Sequence, residues 1–186
     1  MLRWIYWFDD TIVRRFLAKG SRVLAVIAGV NVICLMVIVL IDVGTRHFSL
    51  DPPWGSGGLE ISELLMSMLS TMAVAWCWYL GGHTRISIVL ERASARGRAI
   101  LNVLTSFFTL IWLVGVTLSM MQITANNIKF PLTTDTLKIN IWPFQVIFVI
   151  VMSHFGLVVV RSLIEYVRLA LGHKAKQWAI MEEGGE

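Results

Sequence analysis

The chain has few charged residues for its length. Asp, Glu, Lys and Arg make up 15% of its 186 residues, whereas a soluble domain has about 25%. Hydrophobic residues make up 56%, and the mean hydropathy is +0.72. This composition excludes an ordinary soluble domain and predicts a polytopic membrane protein. The net charge of +4 does not indicate nucleic-acid binding, because the basic residues fall between the apolar segments, where membrane topology explains them.

The sequence also lacks the side-chain sets that catalysis, metal binding or haem binding needs. Its two cysteines, Cys34 and Cys77, both fall within apolar segments, which favours small packing residues over a redox or metal role. Haem b needs two histidines at matching depth, and only His154 lies near the middle of a predicted span. We interpret His154 as a hydrogen-bonding packing residue. No Ser-His-Asp set, metal-ligand cluster or phosphate loop occurs, so we expect neither an enzyme nor a bound cofactor.

The stretch 60–85 organises the chain. It opens with Glu60 and Glu63 and holds no further charged residue until Arg85. Its apolar part, residues 64–80, has about the length of a membrane-spanning helix. At helical spacing the glutamates continue into a stripe of polar and small side chains, which in a spanning helix marks a packing face. The stripe consists of Glu60, Glu63, Ser67, Ser70, Val74, Cys77 and Gly81. We predict that it faces protein.

Three further apolar segments complete a prediction of four spans. The spans cover about residues 23–41, 60–81, 100–123 and 142–161. The third lies in an uncharged run, Ala99–Ile128, which is longer than the bilayer core, so its helix must tilt or project. In the fourth, Pro143 falls in the first helical turn, where proline is tolerated. The predicted fold is all-α, with one transmembrane domain over 1–172 and a flexible tail over 173–186.

Residues 1–20 form an amphipathic segment before the first span. Aromatic residues, Trp4 and Trp7 among them, share one helical face, and most of the charged residues share another. This pattern is typical of a helix that lies in the headgroup region. A solvated leader is the alternative interpretation.

Lysine and arginine are distributed unevenly among the connections. The N-terminal segment, the stretch between the second and third spans, and the tail hold 13 of the 16 residues, and the two other stretches between spans hold the remaining three. Cytoplasmic connections carry an excess of Lys and Arg. We therefore predict that both termini and the stretch between the second and third spans lie in the cytoplasm.

Four charged residues lie at the outer ends of the first two spans. Asp42 and Arg46, four residues apart, predict a local ion pair. Glu60 and Glu63 lie one turn apart at the mouth of the second span, and two interpretations stay open for them. They are favourable charges in a first helical turn, or they pair with basic groups of a partner.

The order of these features resembles a known transporter family. The second span ends in Gly82-His83-Thr84-Arg85-Ile86, a short basic connector follows at 91–98, and Pro143 begins the fourth span. With Glu60 opening the second span and both termini inside, the chain resembles the small, DctQ-like membrane subunit of tripartite ATP-independent periplasmic (TRAP) transporters. The resemblance covers residues 1 to about 172.

The resemblance implies a scaffold in the bacterial inner membrane, packed beside a large membrane subunit that moves the substrate. It also implies docking of a periplasmic solute-binding protein, and Na⁺-coupled uptake of a carboxylate or sulfonate, with Na⁺ bound by the large subunit. Membrane lipids are expected contacts and nucleic acid is not. Candidate partner-interface residues are Glu60, Glu63, Ser67, Ser70, His83, Arg85, Trp4 and Trp7.

Two other functions stay open at this point. A stand-alone four-helix transporter acting as a homodimer would need a carboxylate well inside a span, whereas Glu60 and Glu63 lie near the mouth. A haem- or quinone-binding anchor of a redox enzyme is opposed by the mismatched depths of the histidines.

Overall fold

The computed structural model describes residues 2–80 and 95–171. This part of the chain is built from four long helices: α1 (Leu2–His47), α2 (Gly58–Tyr79), α3 (Ala95–Lys129) and α4 (Trp142–Ala170). A short 3₁₀ helix, Gly55–Gly57, leads into α2. Each long helix contains an apolar window of sufficient length to cross a membrane. The predicted all-α fold with four membrane-spanning helices is confirmed.

The N-terminal segment and the first span form one continuous helix, which differs from the prediction of a separate N-terminal helix. The 46 residues of α1 extend about 69 Å at about 1.5 Å per residue, more than twice the bilayer core of about 30 Å. The segment contains no proline, and a single glycine such as Gly20 costs a helix only about 1 kcal/mol. The backbone therefore has no reason to break there. The placement of residues 1–20 in the headgroup region stays a prediction.

Helices α3 and α4 also extend beyond their predicted spans. The 35 residues of α3 extend about 52 Å at the helical rise, so this helix exceeds the bilayer core as expected. Helix α4 continues to Ala170, nine residues past the predicted span. The predicted tail, 173–186, lies outside the described residues.

The helices pack in the spatial order α1, α2, α4, α3. Helix α2 packs along α1 and along α4, and α4 packs along α3, whereas α1 meets α4 only locally. The paired residues give the directions. Met72 and Trp78 of α2 meet residues 151 and 162 of α4 in the same order, so these two helices run parallel. Helices α3 and α4 run antiparallel.

Two small clusters of buried side chains hold the helices together. One joins α2, α3 and α4 through Ala75, Leu113, Met152, Phe155 and Val159. The other joins α1, α2 and α4 through Ala28, Met72 and Val151. Alanine at positions 28 and 75 lets the backbones approach closely, as is common between helices in membranes. No more than 28% of any spanning window is buried, so most of the apolar surface is left for lipid or another protein.

Candidate functional site

Two connections close one end of the helix assembly, which we call the loop end. The first connection, residues 48–57, joins α1 to α2, and the second, residues 130–141, joins α3 to α4. Both lie beside the first turn of α2. The polar contacts described below tie the two connections to the helices.

Glu60, in the first turn of α2, binds the backbone of the second connection. Its Oε1 accepts a hydrogen bond from the N–H of Thr136 at 2.5 Å, and its Oε2 accepts one from the N–H of Leu137 at 3.0 Å. Each carboxylate oxygen therefore has its own donor from two consecutive residues. Hydrogen bonds of this kind favour the ionised form of the carboxyl group.

This arrangement gives Glu60 a role beyond the two interpretations drawn from the sequence. The residue lies in the first turn of α2 as predicted, but its carboxylate oxygens are bonded to a connection of its own chain. Neither interpretation from the sequence included this role. The donors are backbone groups 76 and 77 residues away, and backbone donors carry no side-chain signature by which sequence reasoning could find them.

The second connection also has its own internal hydrogen bonds. Thr133 and Asn140 form an isolated antiparallel bridge, and the N–H of Thr134 donates to the carbonyl of Ile139 at 2.9 Å. The N–H of Ile139 returns a bond to Thr134 Oγ1 at 3.1 Å. Residues 135–137 form the turn between these paired positions. The connection is thus a short hairpin-like loop whose tip meets Glu60.

Leu137 provides a second anchor for this loop. Its side chain lies directly over Gly57, so that a Cβ at position 57 would collide with it. Gly57 is buried, and Leu137 is half-buried. A side chain at position 57 would force the Leu137 side chain to move, so glycine fits this close contact.

Asp42 ties the end of α1 to the first connection. Its Oδ2 accepts from Arg46 Nε at 2.9 Å, which confirms the predicted ion pair. Its Oδ1 accepts from the indole Nε1 of Trp54 at 3.0 Å, a contact that the sequence did not reveal. A Cβ at Gly58 would lie 2.6 Å from Asp42 Oδ1 and 2.7 Å from Trp54 Nε1. A side chain at position 58 would therefore force the bonded pair Asp42 and Trp54 to shift.

The outer part of the predicted polar stripe of α2 does not pack against the other helices of this chain, whereas Val74 of the stripe packs against the buried cluster of α2, α3 and α4. Glu63, Ser67 and Ser70 are exposed, and the buried face of α2 is formed by Thr71, Met72 and Ala75. Ser67 Oγ donates to the carbonyl of Glu63 and Ser70 Oγ to that of Met66, both at 2.9 Å. Since their hydroxyl donors are satisfied within the helix, these serines can face lipid or protein. That the stripe faces a partner stays a prediction.

A groove lined by α2, α3 and α4 runs beside the stripe. It encloses about 260 Å³ and includes Ser67 in its wall. Most of its lining is apolar, with Leu64, Met68, Phe144, Ile147, Phe148 and Val151 among the residues. Thr71 and Gln145 are the other polar contributors. The groove beside the exposed face of α2 is therefore mainly apolar.

His154 acts as a packing residue, as predicted. Its Nε2 lies 3.1 Å from Ser21 Oγ, which links α4 to α1 where the two helices meet. A Cβ at Gly20 would lie 2.7 Å from the imidazole Cε1 of His154. The ring therefore packs against the backbone of α1 at a position that has no side chain. The other described histidine, His47, lies at the end of α1.

The remaining candidate residues fall outside the described part of the structure. His83 and Arg85 lie in the interval 81–94, and Trp4 and Trp7 lie in α1 at positions whose side chains are not described. Their proposed contacts with partners stay predictions.

Four helices that are long and apolar enough to span a membrane, with an ordered loop end, define a polytopic membrane protein. The family model of the DctQ component of tripartite ATP-independent periplasmic transporters matches residues 35–172. The chain belongs to this family, the small membrane subunits of TRAP transporters in the bacterial inner membrane. Comparisons with curated proteins and with solved structures gave no match.

Family membership confirms the resemblance drawn from the sequence. Members of the family are transporter components, and they work with a large TRAP membrane subunit and a periplasmic binding protein.

Proposed function

We propose that this chain is the scaffold of a TRAP transporter. It packs beside the large membrane subunit, contributes to the docking of the periplasmic solute-binding protein, and carries no substrate itself. The complex takes up an organic acid, a carboxylate or a sulfonate, with Na⁺. The ion binds to the large subunit, and this chain needs no cofactor.

The continuity of the four helices is the observation that carries this proposal. Secondary transporters commonly bind substrate and ions near the bilayer midplane, where interrupted helices free backbone groups to hold the ligand. Here α1, α2, α3 and α4 run without interruption from end to end. The polar side chain of His154, near the middle of α4, is engaged by Ser21 of α1. This geometry suits a scaffold better than a stand-alone transporter.

The exposed face of α2 is the best-supported surface for the large subunit. Helix association in membranes depends on close packing of small side chains, and Ser67 and Ser70 are small, exposed and internally hydrogen-bonded. The neighbouring apolar groove offers a depression for side chains of the partner.

The loop end is the surface that faces the periplasm in this proposal. The orientation rests on the concentration of lysine and arginine between the second and third spans and at the two termini. The periplasmic binding protein then meets the two connections rather than the cytoplasmic ends of the helices.

Reconstitution tests whether the chain transports alone. Proteoliposomes with a Na⁺ gradient would hold this chain by itself, or this chain with the large subunit and the binding protein. A panel of radiolabelled carboxylates and sulfonates would be offered. We expect uptake only by the complete system. Uptake by the lone chain above that of empty vesicles would contradict the scaffold proposal and support the homodimeric transporter.

Co-purification tests the surface on α2. Replacing Ser67 and Ser70 with leucine adds bulk at the proposed interface, so we expect the yield of the complex with the large subunit to fall severalfold. Ser153→Leu is the matched control, because Ser153 is exposed on α4 and donates to its own helix at Val149. An equal loss of complex yield in the Ser67/Ser70 variant and in Ser153→Leu would show that added bulk in the membrane lowers the yield at either position. The effect would then not be specific to the proposed interface on α2.

A further inference from the structure

We propose that Glu60 is a positioning residue that holds the second connection in one conformation, so that the connection offers a preformed docking surface to the periplasmic binding protein. This inference rests on the proposed function, because it supposes that the binding protein meets this chain. It differs from the earlier interpretation in which a glutamate pairs directly with a basic group of the partner.

The first argument is the match between the carboxylate and the turn. Thr136 and Leu137 are consecutive residues at the tip of the loop, and their N–H groups donate to separate oxygens of Glu60. An ionised carboxylate has only acceptor sites, so both of its oxygens suit N–H donors. A glutamine would present an NH₂ group to one of the two N–H groups, and that contact would be lost.

The second argument is that Glu60 acts where the loop's own hydrogen bonds end. The internal pairing links Thr133 with Asn140 and Thr134 with Ile139. The turn 135–137 lies beyond these pairs, and there Glu60 receives the two backbone N–H groups. A side chain of α2 thus holds the tip of the turn.

The third argument concerns what the fixed backbone leaves accessible. The side chains of Asp135, Thr136 and Lys138 are exposed, while the backbone of the tip is bound to α2. Lys138 adopts a positive φ of 55°, so the chain direction changes sharply at an exposed basic residue. Surfaces that are ordered before binding lose less conformational entropy on association. A held tip with one acidic and one basic side chain fits a polar, charged surface on the partner.

The test uses variants of the full chain assembled with the large subunit in lipid nanodiscs. Glu60→Gln removes the charge and one acceptor, whereas Glu60→Asp keeps the charge but shortens the reach. Asp51→Asn is the matched control, because Asp51 is an exposed carboxylate of the first connection. Its substitution changes the net charge by the same amount as Glu60→Gln. Hydrogen exchange of the peptide covering 134–138 reports the order of the loop. The Kd of the transporter's own periplasmic binding protein reports docking.

We expect Glu60→Gln and Glu60→Asp to speed exchange of the Thr136 and Leu137 amides roughly tenfold. Glu60→Gln loses a charged acceptor, and Glu60→Asp loses the geometry of the two hydrogen bonds because its side chain is shorter. The Kd for the binding protein should rise severalfold in both variants, and exchange of residues 134–138 should not change in Asp51→Asn. A Kd raised by Glu60→Gln but not by Glu60→Asp would assign the effect to charge and overturn the positioning role.

The remaining outcomes separate this inference from the proposed function. Faster exchange with an unchanged Kd would overturn the inference and leave the scaffold function intact. Unchanged exchange in both Glu60 variants would show that the carboxylate does not hold the loop. A wild-type complex that fails to bind the periplasmic protein would overturn the docking part of the proposed function and this inference with it.

Discussion

The indole N–H of Trp54 donates to the carboxylate of Asp42 at 3.0 Å, and this bond joins the first connection to the end of α1. The same carboxylate receives Arg46 on its other oxygen. Asp42 therefore lies at a corner of the structure where the end of α1, Trp54 and Gly58 of α2 meet. The corner gives the first two predictions.

Trp54→Phe should lower the melting temperature of the detergent-solubilised protein by a few degrees. The substitution keeps an aromatic ring but removes the only hydrogen-bond donor of the indole, so the first connection loses its bond to α1. Thermal unfolding followed by circular dichroism measures the effect. Trp112→Phe, at an exposed position of α3, is the control. Equal melting temperatures for the two variants would mean that the Trp54 bond contributes nothing measurable.

Gly58→Ala should destabilise the protein clearly more than Gly29→Ala. A Cβ at position 58 would lie within 2.7 Å of Asp42 Oδ1 and Trp54 Nε1, whereas a Cβ at position 29 meets nothing within 4 Å. Alanine favours a helix over glycine by about 1 kcal/mol, so Gly29→Ala should be neutral or stabilising. Thermal unfolding of the two variants side by side provides the comparison. A Gly58→Ala protein as stable as wild type would show that the corner rearranges at little cost.

Ser21 and His154 should be coupled energetically. Interhelical hydrogen bonds in membrane proteins contribute about 0.6 kcal/mol on average by double-mutant cycles. Ser21→Ala, His154→Ala and the double variant should therefore be non-additive by about that amount, measured by unfolding in mixed micelles. Ser153→Ala combined with His154→Ala is the control, because Ser153 donates within its own helix. Strict additivity in the Ser21 cycle would argue that the two residues only pack together.

Cysteine labelling should establish the orientation of the loop end. In a chain with Cys34 and Cys77 replaced by alanine, Ser56→Cys and Asp135→Cys should react with a membrane-impermeant thiol reagent in spheroplasts. Both positions are exposed in the structure and lie on connections that are poor in lysine and arginine. Ser94→Cys should react only after the membrane is permeabilised. The reverse pattern would place the loop end in the cytoplasm.

Periodicity and charge were sufficient to predict the four spans, because each apolar run is long and the helices follow it. The pairing of Asp42 with Arg46 was also predictable, since a spacing of four residues sets their distance in any helix. The interpretation of His154 as a packing residue needed only its isolation in the middle of a span. These features depend on local sequence.

The contacts that were missed depend on residues far apart in the chain. Glu60 bonds to backbone N–H groups of another connection, and the partner of Asp42, Trp54, lies beyond two prolines. The continuity of α1 was missed for a different reason. The change from mixed to apolar composition near residue 20 suggests a boundary between helices, although composition alone does not interrupt backbone hydrogen bonding.

The continuity of α1 also fixes the direction in which each face of its N-terminal part points. Leu17, Ser21 and Ala28 are buried against the other helices, so they set the rotation of the whole helix about its axis. Each residue inserted before Leu17 turns everything upstream by about 100° relative to these buried positions. Two inserted residues would point the upstream face almost the opposite way, whereas four would nearly restore it. The spacing between residues 1–16 and the first span is therefore a matter of rotational register, and not only of length.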